Sequence, residues 1–188
     1  MSPPLKLVIL DRDGVINQDS DHFIKSPAEW KPIAGSIDAI ARLNQNGFRV
    51  VVATNQSGIG RGLFDMATLN AINDKMMELV FRASGRIDAI FFCPCTAEQH
   101  CHCRKPDTGM FEDIASRYQM GLNGVPCIGD SQRDLEAGAR AGCAPVLVLT
   151  GKGRKTRDKG ELPPGTRVFA DLSAAADALI AESSRNAS

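Results

Sequence analysis

Apolar residues gather in short runs along the chain, with amphipathic stretches between them. "LKLVIL" (5–10), "FRVVVA" (48–53), "IDAIFF" (87–92), "VPCI" (125–128) and "PVLVL" (145–149) are rich in Val and Ile. Such lengths suit strands buried on both faces of a parallel sheet. Between them, residues 36–46 place Ile37, Ile40 and Leu43 on one face, starting at an N-cap Ser36 and stopping at Gly47. Residues 67–83 do the same with Leu69, Ile72, Met76, Leu79 and Val80, and residues 108–119 with Phe111, Ile114, Ala115 and Tyr118. Further helices are expected over 131–141 and 172–182, the last after a short strand near "RVFA". Strand and helix alternate throughout, so the pattern predicts an α/β fold with a doubly wound, Rossmann-like parallel sheet. One domain is expected over 1–182, with 151–165 as a polar loop and "SSRNAS" (183–188) as a frayed tail.

In such a sheet, ligands sit beyond the carboxyl ends of the strands. Chemistry appears at the exits of the first four. "DRDGVIN" follows the first and places Asp11 and Asp13 two apart, on one face of an extended segment. "TNQSG" follows the second, a cysteine cluster with Arg104 and Lys105 the third, and "GDSQRD" with Asp130 and Asp134 the fourth. Each piece alone also reads as a turn, a cap or a solvated cation. Their common edge is what makes them a site. Converging carboxylates repel unless a divalent cation lies between them, and hard oxygen ligands suit Mg²⁺. A lysine and a hydroxyl opposite would stabilise a transferring phosphoryl group, and a carboxylate can be its nucleophile.

Charge and length narrow the choice of partner. The 188 residues carry 22 basic and 22 acidic side chains, so no footprint for nucleic acid or an anionic membrane is visible. No apolar run approaches a membrane span, and "MSPPLKLVIL" does not read as a signal peptide. The expectation is a cytoplasmic monomer whose cysteines stay reduced.

The order DxDG(V/T), Thr, Lys, GDxxxD resembles the haloacid dehalogenase superfamily of phosphotransferases. More narrowly, "DRDGVIN", "TNQSGIGRG", the paired CxC motifs with "CRKP", and "GDSQRDLEA" look like the D-glycero-D-manno-heptose 1,7-bisphosphate phosphatases. The resemblance implies a sugar-bisphosphate 7-phosphatase of lipopolysaccharide heptose synthesis, with Asp11 as nucleophile and Asp13 as acid and base. It implies Thr54 and Lys105 on the phosphoryl oxygens, and Mg²⁺ on Asp11, the Asp13 carbonyl and Asp130, with Ser131 adjoining. Asp134 then orients Lys105 or a metal water. Asp19, Ser20, Asp21 and His22, with Asn55, Gln56 and Ser57, are expected on the sugar, and Arg104 on phosphate or sugar oxygens.

Cys93-x-Cys95 and Cys101-x-Cys103 are two short pairs joined by five residues. Structural Zn²⁺ on these four thiolates would close the loop and pin Arg104 and Lys105 beside the site. Related phosphatases carry Cys-x-His in the first pair, so His100 or His102 could replace a cysteine. Buried thiols are the blander reading, and two disulfides suit neither the spacing nor the compartment. Cys127 and Cys143 read as core residues.

The intervals between motifs leave no room for a cap domain, so loops must grip the substrate. Two other functions share these features: another phosphomonoesterase such as a histidinol-phosphate phosphatase, and a non-enzymatic zinc-stabilised binding module. The basic segment 152–159 reads as a solvated loop or a contact for a second phosphate.

Overall fold

The apolar runs lie side by side in one parallel sheet, as their two-sided burial demands. The computed structural model describes residues 5–185. Its elements run β1 (Lys6–Leu10), α1 (Ser36–Gln45), β2 (Phe48–Asn55), α2 (Ser57–Gly60), α3 (Met66–Arg82), β3 (Ala89–Cys93), α4 (Gly109–Tyr118), β4 (Pro126–Gly129), α5 (Gln132–Arg140), β5 (Ala144–Val148), α6 (Gly153–Lys159), β6 (Arg167–Phe169) and α7 (Leu172–Arg185). The strands lie in the order β3-β2-β1-β4-β5-β6, every pair parallel. Alternate side chains point to opposite faces. Val8, Leu10, Val50 and Val52 therefore join one apolar cluster, while Leu7, Ile9, Val51 and Ala53 join another across the sheet.

Chain order reverses between β1 and β4, the crevice where such sheets bind ligands. The Asp11 N–H donates to the Ile128 carbonyl at 2.9 Å, which carries the sheet ladder one residue beyond β1. Sequence neighbours at the ends of these two strands are thus forced together.

The expected strands and long helices all form. Three details differ. The N-cap of α1 is Gly35, at φ 80°, and the Ser36 hydroxyl instead donates to the Ile16 carbonyl at 2.6 Å. The segment expected as a loop over 151–165 contains α6. Its Thr156 hydroxyl bonds the Asp130 carbonyl at 2.8 Å, tying a basic, solvated-looking stretch to the end of β4. Helix α7 continues to Arg185, so 183–185 are helical, and 186–188 lie outside the described residues.

No cap domain interrupts the described chain. Residues 11–35 instead form an irregular excursion held from beneath by the buried side chains of Ile24 and Trp30. The Lys75 ammonium donates to the carbonyls of Pro27 and Trp30 at 2.6 and 2.8 Å. The sequence-predicted substrate loop is therefore a braced loop whose far end is stitched to α3.

Candidate active site

Asp11 directly follows β1, and Asp130 directly follows the neighbouring β4, so the two meet at one edge of the sheet. Both carboxylates are buried, as is Asp134 on the first turn of α5. Oxygens of all three lie within 4.8 Å of one another. Lys105, only 2% exposed, enters this group from the loop after β3. Its ammonium reaches Asp11 Oδ1 at 3.0 Å, Asp134 Oδ1 at 2.5 Å and the Ala53 carbonyl at 2.7 Å. Two hydrogen bonds and one ion pair thus engage the ammonium.

The loop holds that lysine by its backbone. The Asn55 side chain donates to the Lys105 carbonyl at 3.0 Å and accepts from the Lys105 N–H at 3.1 Å. Asp134 caps α5 from within, because its Oδ2 accepts from both the N–H and the hydroxyl of Ser131. One carboxylate thereby orients Lys105 and starts a helix.

The buried charges shift one another. Burial, then Asp134, push the Asp11 carboxyl up to about 6 against the pull of Lys105. Burial, then Asp134 and Asp11, push Asp130 up to about 8. Burial also opposes ionisation of Asp134, but Lys105 foremost holds it below the usual carboxylate range. Burial likewise disfavours the Lys105 cation, and Asp11 and Asp134 reverse that, raising its pKa. One ammonium does not neutralise three carboxylates. A divalent cation between Asp11 and Asp130 relieves the remainder, and the cradle is shaped for a bare carboxylate: a Cβ on Gly14 or Gly151 would fall 2.0 or 2.2 Å from Asp130 Oδ2. The donor set fits Mg²⁺.

Asp13 is held differently. Its Oδ1 accepts from Arg12 Nε at 3.1 Å and Asn17 Nδ2 at 2.8 Å, and its Oδ2 from Arg12 Nη2 at 3.1 Å and Gln56 Nε2 at 2.9 Å. It nevertheless keeps 20% of its side chain exposed to the cavity. Gln56 also donates to Thr54 Oγ1 at 2.9 Å, which leaves the threonine's own hydrogen free to donate into the cavity.

These groups line a cavity of about 250 Å³. Asp11, Asp13, Asp19, Ser20, Asp21, Thr54, Asn55, Gln56, Ser57, Arg104, Lys105 and Asp130 all face it. Two of the expected residues do not. His22 is exposed outside it because Phe23, at φ 65°, turns the chain so that Phe23 and Ile24 face inward instead. Ser131 is spent on capping α5. Gln56 and Asn55 work chiefly on Asp13 and on the Lys105 peptide. Arg12 went unforeseen: it is fully buried, bonding Asp13, Gln56 and Asn73, although an arginine between two aspartates reads locally as solvated. Arg61, Arg133 and Lys152 also line the cavity, and Lys152 pairs with Asp19 at 3.1 Å and Asp21 at 3.6 Å.

The comparisons with known proteins agree with this geometry. A polynucleotide kinase 3 phosphatase family model matches residues 6–133, and a haloacid-dehalogenase hydrolase-like model matches 102–175. The D-glycero-β-D-manno-heptose-1,7-bisphosphate 7-phosphatase of Bordetella bronchiseptica is 60% identical, covering 95% of this chain and 99% of its own. That of Pseudomonas putida is 52% identical over 94% and 100%. This chain belongs to the heptose-bisphosphate phosphatase family of the haloacid dehalogenase superfamily. A crystal structure of the B. bronchiseptica D,D-heptose 1,7-bisphosphate phosphatase, complexed with magnesium and phosphate, superposes with a TM-score of 0.94 over 95% of this chain and 99% of that one, at 60% identity. The Burkholderia thailandensis D,D-heptose 1,7-bisphosphate phosphatase gives 0.75 at 53% identity, over 93% and 98%. The protein is a phosphatase, and the non-enzymatic reading falls.

In this phosphatase the cysteine loop forms a sulfur cluster compatible with a zinc-binding loop, with one bond that was not expected. Cys95 and Cys101 are joined in a disulfide, brought together as the chain folds back through a 3₁₀ turn at Ala97–Gln99. The expected four free thiolates are therefore two. Cys93 and Cys103 stay free, with their sulfurs 2.7 Å apart, and the sulfurs of Cys93, Cys95 and Cys103 lie within 4.8 Å of one another. Neither histidine joins this cluster among the described residues: His102 pairs with Glu112 at 2.9 Å, and His100 is exposed. Burial, then the Cys103 sulfur, push the Cys93 thiol up to about 11.

The clamp on Lys105 is testable. Asn55→Ala should leave the fold intact but loosen the ammonium by about an ångström, lowering kcat/KM by about 10²-fold. Steady-state kinetics with a generic phosphate ester, beside an unchanged circular dichroism spectrum, checks this; full activity would show that the clamp is idle.

Proposed function

We propose that this enzyme hydrolyses the 7-phosphate of D-glycero-D-manno-heptose 1,7-bisphosphate through a phosphoryl-Asp11 intermediate, in the synthesis of activated heptose. Two observations support the reaction class: a buried carboxylate bonded to a buried lysine, and a second carboxylate open to the same cavity. The observation that carries the substrate is the high identity to heptose-bisphosphate phosphatases over nearly the whole chain.

Asp11 attacks phosphorus, and the bond from phosphorus to the sugar oxygen breaks. Asp13 gives its proton to that leaving oxygen, and then takes one from the water that cleaves the acyl phosphate, returning Asp11 and releasing phosphate. Lys105 and the free Thr54 hydroxyl hold the phosphoryl oxygens. To reach a phosphoryl oxygen the lysine gives up its bond to Asp11 as Asp11 loses its charge. Asp11, Asp130 and the Asp13 carbonyl would hold Mg²⁺, which neutralises charge on the phosphoryl oxygens when bound. With no cap, a primary phosphate on an exocyclic arm reaches Asp11 more readily than an anomeric phosphate on the ring. The sugar then rests against Asp19–Asp21, Ser57 and Arg104.

Phosphorus NMR of the product tests the reading: loss of the 7-phosphate signal with the 1-phosphate retained is expected. Release of the anomeric phosphate first, or a preference for histidinol phosphate, would move the protein to the runner-up activity. Asp11→Asn should lower turnover by orders of magnitude while the protein still folds; a tenth of the wild-type rate would mean a different nucleophile.

The reduced loop would bring four thiolates, Cys93, Cys95, Cys101 and Cys103, to one point, a donor set suited to structural Zn²⁺. Protein purified under reducing conditions should carry about one zinc per chain by elemental analysis. Stripping it should lower melting temperature and activity together. Metal-free protein of unchanged stability would instead favour the disulfide as the loop's resident closure.

A further inference from the structure

Besides Lys105, four cations line the cavity, and three of them have partners. Arg104 donates to the Cys95 carbonyl at 3.0 Å, Lys152 pairs with Asp19, and Arg61 approaches Glu98 at 4.0 Å. Arg133 lines the same cavity, is exposed, and makes no hydrogen bond or ion pair with any described residue. Its position on the helix is unusual for a cation. It is the second residue of α5, where the helix dipole favours anions, and the rest of that turn obeys the rule with a Ser131 cap and Asp134. Arg133 also lies near enough to Arg104 and Lys152 to weigh against the charge of each. The carboxylates of Asp134, Asp11, Asp130 and Asp19 favour its charge from a distance, but none of them bonds the guanidinium, whose N–H groups stay open to the cavity. An anion brought by the ligand supplies what is missing.

We propose that Arg133 is a specificity-determining residue that grips the phosphate this enzyme does not remove. The inference rests on the bisphosphate reading above. The reacting phosphoryl group already has Lys105, Thr54 and the carboxylate-bound cation, all deeper in the cavity. The second phosphate of a sugar bisphosphate remains at the mouth, where a planar guanidinium can bind two of its oxygens. A monophosphorylated substrate leaves Arg133 unused.

The test uses the full chain and three variants: Arg133→Ala, Arg133→Gln and Arg133→Lys. Substrates are the heptose bisphosphate, a sugar monophosphate and a small generic phosphate ester, with a sugar bisphosphate also titrated as a competitor of the ester. Loss of one charge-assisted contact predicts that Arg133→Ala raises KM and the competitor's apparent Ki by about 10- to 100-fold. That loss should exceed the change in kcat/KM for the generic ester by at least about tenfold. Arg133→Lys should fall between, because it keeps the charge and loses the fork. The melting temperature of Arg133→Ala should change little, since the unfavourable dipole contact and the distant attraction to the carboxylates are lost together. An equal loss on all three substrates would overturn the proposal and make Arg133 a partner of the buried carboxylates. So would an unchanged ratio of bisphosphate to monophosphate affinity. The competitor arm stands even if NMR shows another phosphate being released, so failure of the activity reading remains distinguishable from failure of this one.

Discussion

The Lys105 ammonium, wholly buried among Asp11, Asp134 and the Ala53 carbonyl, is the interaction on which the site depends. A lone buried ammonium would shed its proton, and a lone cluster of buried carboxylates would take protons up. Placed together, Lys105 and Asp134 hold each other ionised, while Asp11 and Asp130 are still pushed up because three carboxylates outnumber one lysine. That imbalance gives the carboxylates a donor set suited to a divalent cation. Breaking such a group by removing one member is expensive, because the remainder is buried without compensation.

Each neighbouring structure serves this constraint. The sheet brings β1 and β4 side by side, so Asp11 and Asp130 meet without any long-range loop. Asn55 at the end of β2 clamps the Lys105 peptide, and the sulfur cluster after β3 closes the loop that carries it. Asp134 ties the lysine to the first turn of α5. Thr156 and the Gly14–Gly151 backbones hold Asp130 from its other side. Four successive strand ends therefore converge on one point rich in buried carboxylates, while Arg12, Asn17 and Gln56 hold Asp13 apart from it.

The parts legible in the sequence were those with strong periodicity or paired chemistry. The strands announced themselves because both faces are buried, and α3 because five apolar residues repeat on one side. Asp11, Asp13, Lys105 and Asp130 were recognisable because only a strand-end alignment makes sense of them together. Helix α6 was not, since its stability comes from one Thr156 hydroxyl reaching β4 and not from an apolar stripe. Arg12 and Arg133 escaped for related reasons: an arginine's local sequence does not tell whether it is swallowed by acceptors or left bare. His22 was misplaced because one positive-φ residue, Phe23, reverses which side chains face inward. The Cys95–Cys101 disulfide eluded the reading because spacing alone does not say which closure a four-cysteine loop adopts.

The balance of charge at Lys105 is tested most directly by following thermal unfolding as Mg²⁺ is added to wild type and to Lys105→Met. If the lysine partly neutralises the carboxylates that receive the cation, its removal should lower the metal-free melting temperature and abolish turnover. The carboxylates left behind should then bind Mg²⁺ more tightly, so the variant should gain more degrees per increment of Mg²⁺ than the wild type does. A variant whose melting temperature responds to Mg²⁺ less than the wild type would contradict the account, because Lys105 would then be helping to build the metal site and not balancing it.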